Sequence, residues 1–242
     1  GVTYFQTNYL YPSLFCVDMD GNVLWEYRTT QGVHGVRLGL DLTREGKVLC
    51  SNHISGTVCH PAILDPVTSE VLFQEYEETM HHSLIETPSG TILFLQEKVL
   101  EIPDPPWGDC VTSIKADVIK ELDPDTREVV WEWHLDEYVA PTEHYASTIC
   151  NRADWSHANS IKYLEDYLYR DTVYDAILLH ARNLNTFYVI DHATGEVLWS
   201  CGEHGTVAPG TREEPLFDWA HEADMLPNGD VVLYNNNASN GS

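Results

Sequence analysis

The chain has 242 residues, of which 43% are hydrophobic and 11% aromatic, enough for a packed core and too apolar for disorder. Acidic residues number 38 against 13 basic ones, for a formal net charge of −25, which excludes nucleic acid as a partner because phosphate contacts need a surplus of Lys and Arg. No apolar run reaches the roughly 18–20 residues of a membrane span, and Gly1 to Leu10 lacks the basic and apolar regions of a signal peptide.

The first element is Leu14 to Trp25, a β-run ending at Asp18, a turn, and a second β-run ending in an aromatic. Asp and Gly supply the turn, and the flanking β-branched residues supply the strands. The unit recurs from Ala62 through Asp65 to Phe73, from Ile119 through Asp123 to Trp131, and from Val189 through Asp191 to Trp199. The turn aspartates are 47, 58 and 68 residues apart.

Between these copies lies a second hairpin with its own turn: Arg44 to Cys50, Thr87 to Phe94, and Leu226 to Tyr234, with a longer version from Tyr163 to Leu179. Two hairpins per repeat make four strands, the mark of a β-propeller blade. The predicted fold is therefore all-β, a propeller of four-stranded blades with four repeats countable. The chain is expected to form one incomplete propeller domain over residues 1–242. Helical periodicity is absent except for an ambiguous Trp133 to Tyr138, and 96–113 and 139–153 read as long inserted loops.

Six cysteines, at 16, 50, 59, 110, 150 and 201, contain no CxxC, so zinc ribbons and thioredoxin motifs are not supported. Cys50 and Cys59 are close enough in sequence to staple a short loop in an oxidising compartment, and buried free thiols are the alternative. Two sequons, at Asn237 and Asn240, point to an extracellular or periplasmic glycoprotein. The acidic surface favours hydration and is what a salt-rich habitat would select.

Three segments place a histidine at one position of the repeat. Asp154-Trp155-Ser156-His157 and Asp218-Trp219-Ala220-His221 both read D-W-x-H, and Met80-His81-His82 is the third. From His82 to Pro88 and Gly90 the steps equal those from His221 to Pro227 and Gly229. The strand that opens each second hairpin thus carries His82, His157 and His221, and in a propeller the innermost strand lines the central channel. Strand alternation puts Asn159 on the face of His157 and turns His81 away from that of His82. Arg182, in an otherwise uncharged stretch, suits a tetrahedral oxyanion, which a guanidinium grips with two parallel hydrogen bonds. Trp155 and Trp219 are expected to pack between blades. His34 falls out of register, the aligned residue being Leu38.

The segments Met80 to Gly90, Asp154 to Ile161, Ala181 to Asp191 and Phe217 to Asp230 resemble the bacterial arylsulfate sulfotransferases, PAPS-independent enzymes with a six-bladed propeller. The resemblance implies ping-pong transfer: an aryl sulfate gives its sulfuryl group to a histidine, and a phenol collects it. Carried over, His221 is the nucleophile that becomes sulfohistidine. Arg182 holds the sulfuryl oxygens, His82 and His157 donate hydrogen bonds, and Asn159 orients the group. Aryl sulfates and phenols are then the partners, with no cofactor or metal. The family's N-terminal β-sandwich and blades five and six have no counterpart here.

Three other readings compete. Ile190 to Trp199 resembles the tryptophan-docking repeat of quinone dehydrogenases, a blade-packing device without chemistry. Three imidazoles satisfy zinc or copper, but Arg182 would repel the cation. Finally, an acidic secreted propeller could be a non-catalytic module in a homo-oligomer or extracellular assembly.

Overall fold

The computed structural model describes residues 1–7, 13–28, 39–53, 59–145, 149–203, 205–207 and 216–236. His34, Leu38 and both sequon asparagines lie outside them.

The strands form successive sheets in chain order. The first is β1 (Val2–Thr7), β2 (Ser13–Asp18) and β3 (Val23–Arg28). Next comes β4 (Leu40–Leu42), β5 (Val48–His53), β6 (Cys59–Leu64) and β7 (Val71–Gln74). The third is β8 (His81–Glu86), β9 (Ile92–Glu101), β10 (Ser113–Leu122) and β11 (Val129–His134). The fourth is β12 (Ala158–Tyr169), β13 (Thr172–Ala181), β14 (Thr186–Asp191) and β15 (Val197–Gly202). A pair, β16 (His221–Met225) and β17 (Val231–Tyr234), comes last. Three complete four-stranded meanders, each adding strands in chain order, are the blades of a β-propeller. A one-turn helix, α1 (Leu135–Tyr138), occupies most of the ambiguous segment. Among the described residues no helix is long and apolar enough to cross a membrane.

Each Asp turn is built alike. Asp18 Oδ1 accepts from the backbone N–H groups of Asp20 and Asn22, Asp65 Oδ1 from those of Val67 and Thr68, and Asp123 Oδ1 from those of Asp125 and Thr126. These Asx contacts satisfy turn donors that have no ladder partner. In three of the four repeats an aromatic near the hairpin's end reaches the Asp turn of the next repeat, whereas Trp199 Nε1 donates to Tyr167 Oη of its own sheet. Trp25 Nε1 donates to Ser69 Oγ at 2.9 Å, Phe73 lies under Arg127 at 5.0 Å, and Trp133 Nε1 donates to the Gly195 carbonyl at 2.9 Å. The docking-like run at Ile190 to Trp199 therefore has a purely architectural explanation.

The chain divides into two compact units, Gly1–Gln96 with Lys120–Trp131, and Glu97–Ile119 with Glu132–Ser242. In the first, Leu14, Val48, Ala62 and Leu64 form one apolar cluster, and Leu49, Phe73, Leu84, Phe94 and Leu122 another. In the second, Leu178, Phe187, Val189, Phe217, Ala220 and Ala223 pack together. Each large apolar side chain so buried contributes about 1.5–3 kcal/mol. Phe217 of this second core meets His180 edge-on, and Ala220 directly precedes His221.

Of the two alternatives for Cys50 and Cys59, a staple or buried thiols, the structure has the second. Both are buried and outside any disulfide, and burial, with Cys59 beside it, pushes the Cys50 thiol up to about 12. The disulfide joins Cys110 to Cys150, 40 residues apart. It ties the two inserted loops together, with Trp107 set edge-on against Tyr145 at 5.0 Å. Sequence spacing carries no information about such a pairing, because loop closure across 40 residues depends on the fold. Reduction, or Cys110→Ser, is expected to cost about 2–4 kcal/mol. Thermal melts with and without reductant check this, and equal melts would show that the bridge constrains nothing.

Candidate active site

The D-W-S-H segment forms the approach to β12 and is fixed from several sides. Trp155 N donates to the Lys115 carbonyl at 3.0 Å, its ring is wholly buried, and Nε1 donates to the His144 carbonyl at 2.6 Å. Ser156 Oγ donates to Asp117 Oδ2 at 2.5 Å, and the same oxygen accepts Ala158 N at 2.6 Å. Asp117, on β10 and 3% exposed, thereby holds both sides of His157. The His157 backbone is left-handed, with φ 46°, and a register shift lies between Ala158 and Ser160. His157 Nδ1 hydrogen-bonds Asp154 Oδ2. Burial pulls the Asp154 carboxyl up, but the hydrogen bond from His157, with Lys115 and Arg182 nearby, leaves it below the ordinary range.

Arg182 opens a 3-10 turn, Arg182–Leu184, at the end of β13. The turn is sewn to D-W-S-H: Arg182 N donates to the His157 carbonyl, Asn183 N to the Ser156 carbonyl, and Asn183 Nδ2 to the Asp154 carbonyl. The guanidinium carbon stands 4.3 Å above the Trp219 ring. Trp219 is thus the platform for a cation, beyond the packing role expected of it. Its own position comes from Asn185, whose Oδ1 accepts Trp219 N while Nδ2 donates to Asp218 Oδ1. Gly202 (φ 140°) makes room for this, since a Cβ there would lie 2.0 Å from the Asn185 carbonyl. Although uncharged in sequence, the surroundings of Arg182 in space include Asp154, His180 and His221.

Asn159 is 2% exposed. Its Nδ2 donates to the Ala220 carbonyl at 2.8 Å, and its Oδ1 lies 2.9 Å from His180 Nδ1. The alternation that would pair Asn159 with His157 is broken by the register shift, and the two have separate hydrogen-bond partners. His180 was not flagged by the sequence. It is fully buried on β13, edge-on to Phe217 at 6.0 Å. A polar ring inside Leu178-Leu179-His180-Ala181 is the one signal that could have marked it.

His221, half-buried, opens β16. Its Nδ1 lies 3.1 Å from the Trp219 carbonyl and 3.0 Å from the Asn236 side-chain amide. The Trp219 carbonyl only accepts, so that contact needs a proton on Nδ1 and leaves the lone pair on Nε2; the Asn236 amide, whose Nδ2 faces the ring, must then turn over to present its oxygen. Burial, and then the Arg182 charge, lower the His221 pKa against the opposing Trp219 carbonyl, with His157 adding to the lowering. The lowering favours the neutral imidazole, and the Arg182 charge lies near enough to contribute to it.

His82 belongs to the first unit. Its rings and those of His81 meet, with Nδ1 atoms 2.9 Å apart and centroids 5.1 Å apart. The expected alternation fails because His82 is left-handed, φ 53°, at a register shift between His81 and Leu84. A cleft of about 530 Å³ lined by Tyr163, Tyr167, Met225 and Pro227 lies at the turn ends of β12 and β16, and none of His157, His180 and His221 lines it.

His180 has a consequence for acid stability. Burial, with His221 and Arg182 adding to it, lowers its pKa to about 3. Between that value and about 6.5 the unfolded chain binds a proton that the folded one does not, so stability falls as pH drops through that window. The slope is about 1.4 kcal/mol per pH unit for this one group. Denaturant titrations from pH 7 to 4 are expected to show a shallower acid loss in His180→Phe; identical slopes would contradict it.

Meanders of four antiparallel strands are the blades of a β-propeller, and in the second unit the charges of His157 and Arg182 both act on His221. The sequence signature of the Arylsulfotransferase (ASST) family matches residues 3–242. The chain belongs to that family, and so to the aryl sulfotransferase class. Among curated proteins no match is found. A solved protein of unknown function from Bacteroides caccae is similar in fold, at 12% identity and a TM-score of 0.55, with 98% of this chain and 70% of that one covered. The WD40 domain of Neurospora crassa Pan2 aligns at 12% identity and a TM-score of 0.49, over 94% of this chain and 56% of that one.

Proposed function

We propose that this protein moves a sulfuryl group from an aryl sulfate to a phenol by way of sulfohistidine at His221, independently of PAPS. The observation that carries this is the His221 ring, its Nδ1 committed to the Trp219 carbonyl and its Nε2 lone pair retained beside Arg182. In the first half-reaction Nε2 attacks sulfur, the bond from sulfur to the aryl oxygen breaks, and the aryl oxide leaves with the electron pair and takes up a proton. In the second, a phenol oxygen attacks sulfur, its proton is lost, and the bond from nitrogen to sulfur breaks.

Negative charge on the sulfuryl oxygens needs fixed donors, and Arg182 supplies a planar fork held flat by Trp219. His157, oriented by Asp154 as metal-free acid–base histidines are, is the group to give the leaving oxide its proton and to take one from the phenol. Asn159 orients the group through its amide. The part given to His82, a further donor, rests on sequence alone. The Cys110–Cys150 disulfide supports an oxidising, extracellular or periplasmic location.

The test is an intact mass after mixing with an aryl sulfate and no acceptor, kept near neutral pH because sulfohistidine is acid-labile. We expect one added sulfuryl group, absent in His221→Ala and removed by a phenol. No adduct on folded protein would overturn the proposal in favour of a non-catalytic binding module.

A further inference from the structure

The structure assigns to His180 a positioning role: through Asn159 it fixes the groups on either side of the nucleophile, an inference that rests on the sulfuryl-transfer reading above. The chain of contacts has only one consistent polarity. The Ala220 carbonyl is an acceptor, so the group 2.8 Å from it must be the NH2 of Asn159. The amide oxygen then faces His180 Nδ1 at 2.9 Å, and that nitrogen must carry a proton. His180 is thus the Nδ1–H tautomer, and the direction of donation runs from His180 to Asn159 to the carbonyl immediately before His221.

Two consequences follow from that direction. An amide can turn over, which would aim its oxygen at anionic sulfuryl oxygens and at the Ala220 carbonyl. The Nδ1–H of His180 blocks this by occupying the amide oxygen, leaving one Nδ2 hydrogen on Ala220 and the second for the substrate side. The Ala220 carbonyl, held by the amide, also fixes the peptide that carries the His221 backbone N–H.

A packing role does not explain this residue. His180 Nε2 is buried without a hydrogen-bond partner, an expense that a leucine, like its neighbours Leu178 and Leu179, would avoid. Both neighbours are buried in the same strand. Departures from an apolar pattern of this kind mark functional sites. The unpartnered nitrogen is the cost of presenting the opposite nitrogen as a donor.

The experiment measures the rate of sulfuryl adduct formation, with thermal melts, in His180→Phe, His180→Gln, Asn159→Ala and the Asn159→Ala/His180→Phe double variant. Phe keeps the ring and volume but cannot donate; Gln keeps an N–H. We expect a loss of about 10-fold or more in His180→Phe, substantial recovery in His180→Gln, and a double variant no slower than Asn159→Ala, as coupled neighbours behave. A wild-type rate in His180→Phe, a glutamine variant as slow as phenylalanine, or additive losses would overturn the assignment. In parallel, nitrogen chemical shifts of labelled histidine should report His180 as Nδ1–H between pH 5 and 8, and an Nε2–H tautomer would overturn it without reference to activity. Absence of any adduct in the unaltered protein would remove the sulfuryl-transfer reading and with it the role for His180, whereas the tautomer alone could fail with that reading intact.

Discussion

Arg182→Lys is expected to slow adduct formation at His221 by about 10²–10³-fold, the cost of losing a preorganised donor to developing charge, while the fold stays intact. The charge is conserved, so the loss isolates geometry. A guanidinium offers two parallel N–H groups to two oxygens of one tetrahedral group, and a lysine ammonium offers a mobile point charge. The face of Trp219, 4.3 Å from the guanidinium carbon, sets the plane of that fork and gives an ammonium no equivalent orientation. The backbone at 182, bonded to the His157 carbonyl, remains in either case. Arg182→Met adds a different effect. Because the arginine charge is among the causes that lower the His221 pKa, its removal should raise that pKa, and the acid limb of the rate profile should move to higher pH. Single-turnover rates against pH check both variants. A lysine variant within threefold of the parent would mean that charge alone suffices.

The repeat was legible because turns are local. Asp18, Asp65 and Asp123 bond their own turn N–H groups within three or four residues, so each hairpin announces itself in a short window. Strand order within a sheet then follows from the two alternating turn types. D-W-x-H was legible as a pattern, and the structure supplies what the pattern omits: Trp155 is core, whereas Trp219 is a cation platform. Predictions from strand alternation were the weak point. Left-handed residues at His82 and His157 coincide with register shifts, and a bulge resets which side chains share a face. Long-range polar partners were invisible for another reason. Asp117 lies 39 residues from Ser156, and nothing in the ten residues of β10 distinguishes it from the other acids of a highly acidic chain. His180 carried a signal, a lone polar ring in an apolar strand, but its meaning depends on Asn159, 21 positions earlier.

Asp117→Ala should be the most destabilising single change around the site, at about 3–5 kcal/mol. The carboxylate is 3% exposed and accepts from Ser156 Oγ and Ala158 N on the same oxygen. Its removal strands a hydroxyl and a backbone N–H in a dry interior, and each keeps its desolvation penalty. Ser156→Ala removes the hydroxyl donor along with its need for a partner, leaves the 3.2 Å bond from Asp117 N unmade, and should cost only about 1–2 kcal/mol. The double variant should then be less destabilised than the sum, because the two residues are in direct contact, Ser156 Oγ donating to Asp117 Oδ2 and accepting from Asp117 N. For a chain of this size the single Asp117 variant should lower the melting temperature by roughly 10 °C. Loss of function should exceed loss of stability. His157 is left-handed between the two groups that Asp117 holds, and it has no regular ladder to keep it there once they are released. Calorimetry and adduct rates at a temperature where each variant is folded separate the two effects. An Asp117→Ala protein that melts within 2 °C of the parent would show that the D-W-S-H turn is held by Trp155 and the 182–184 turn alone.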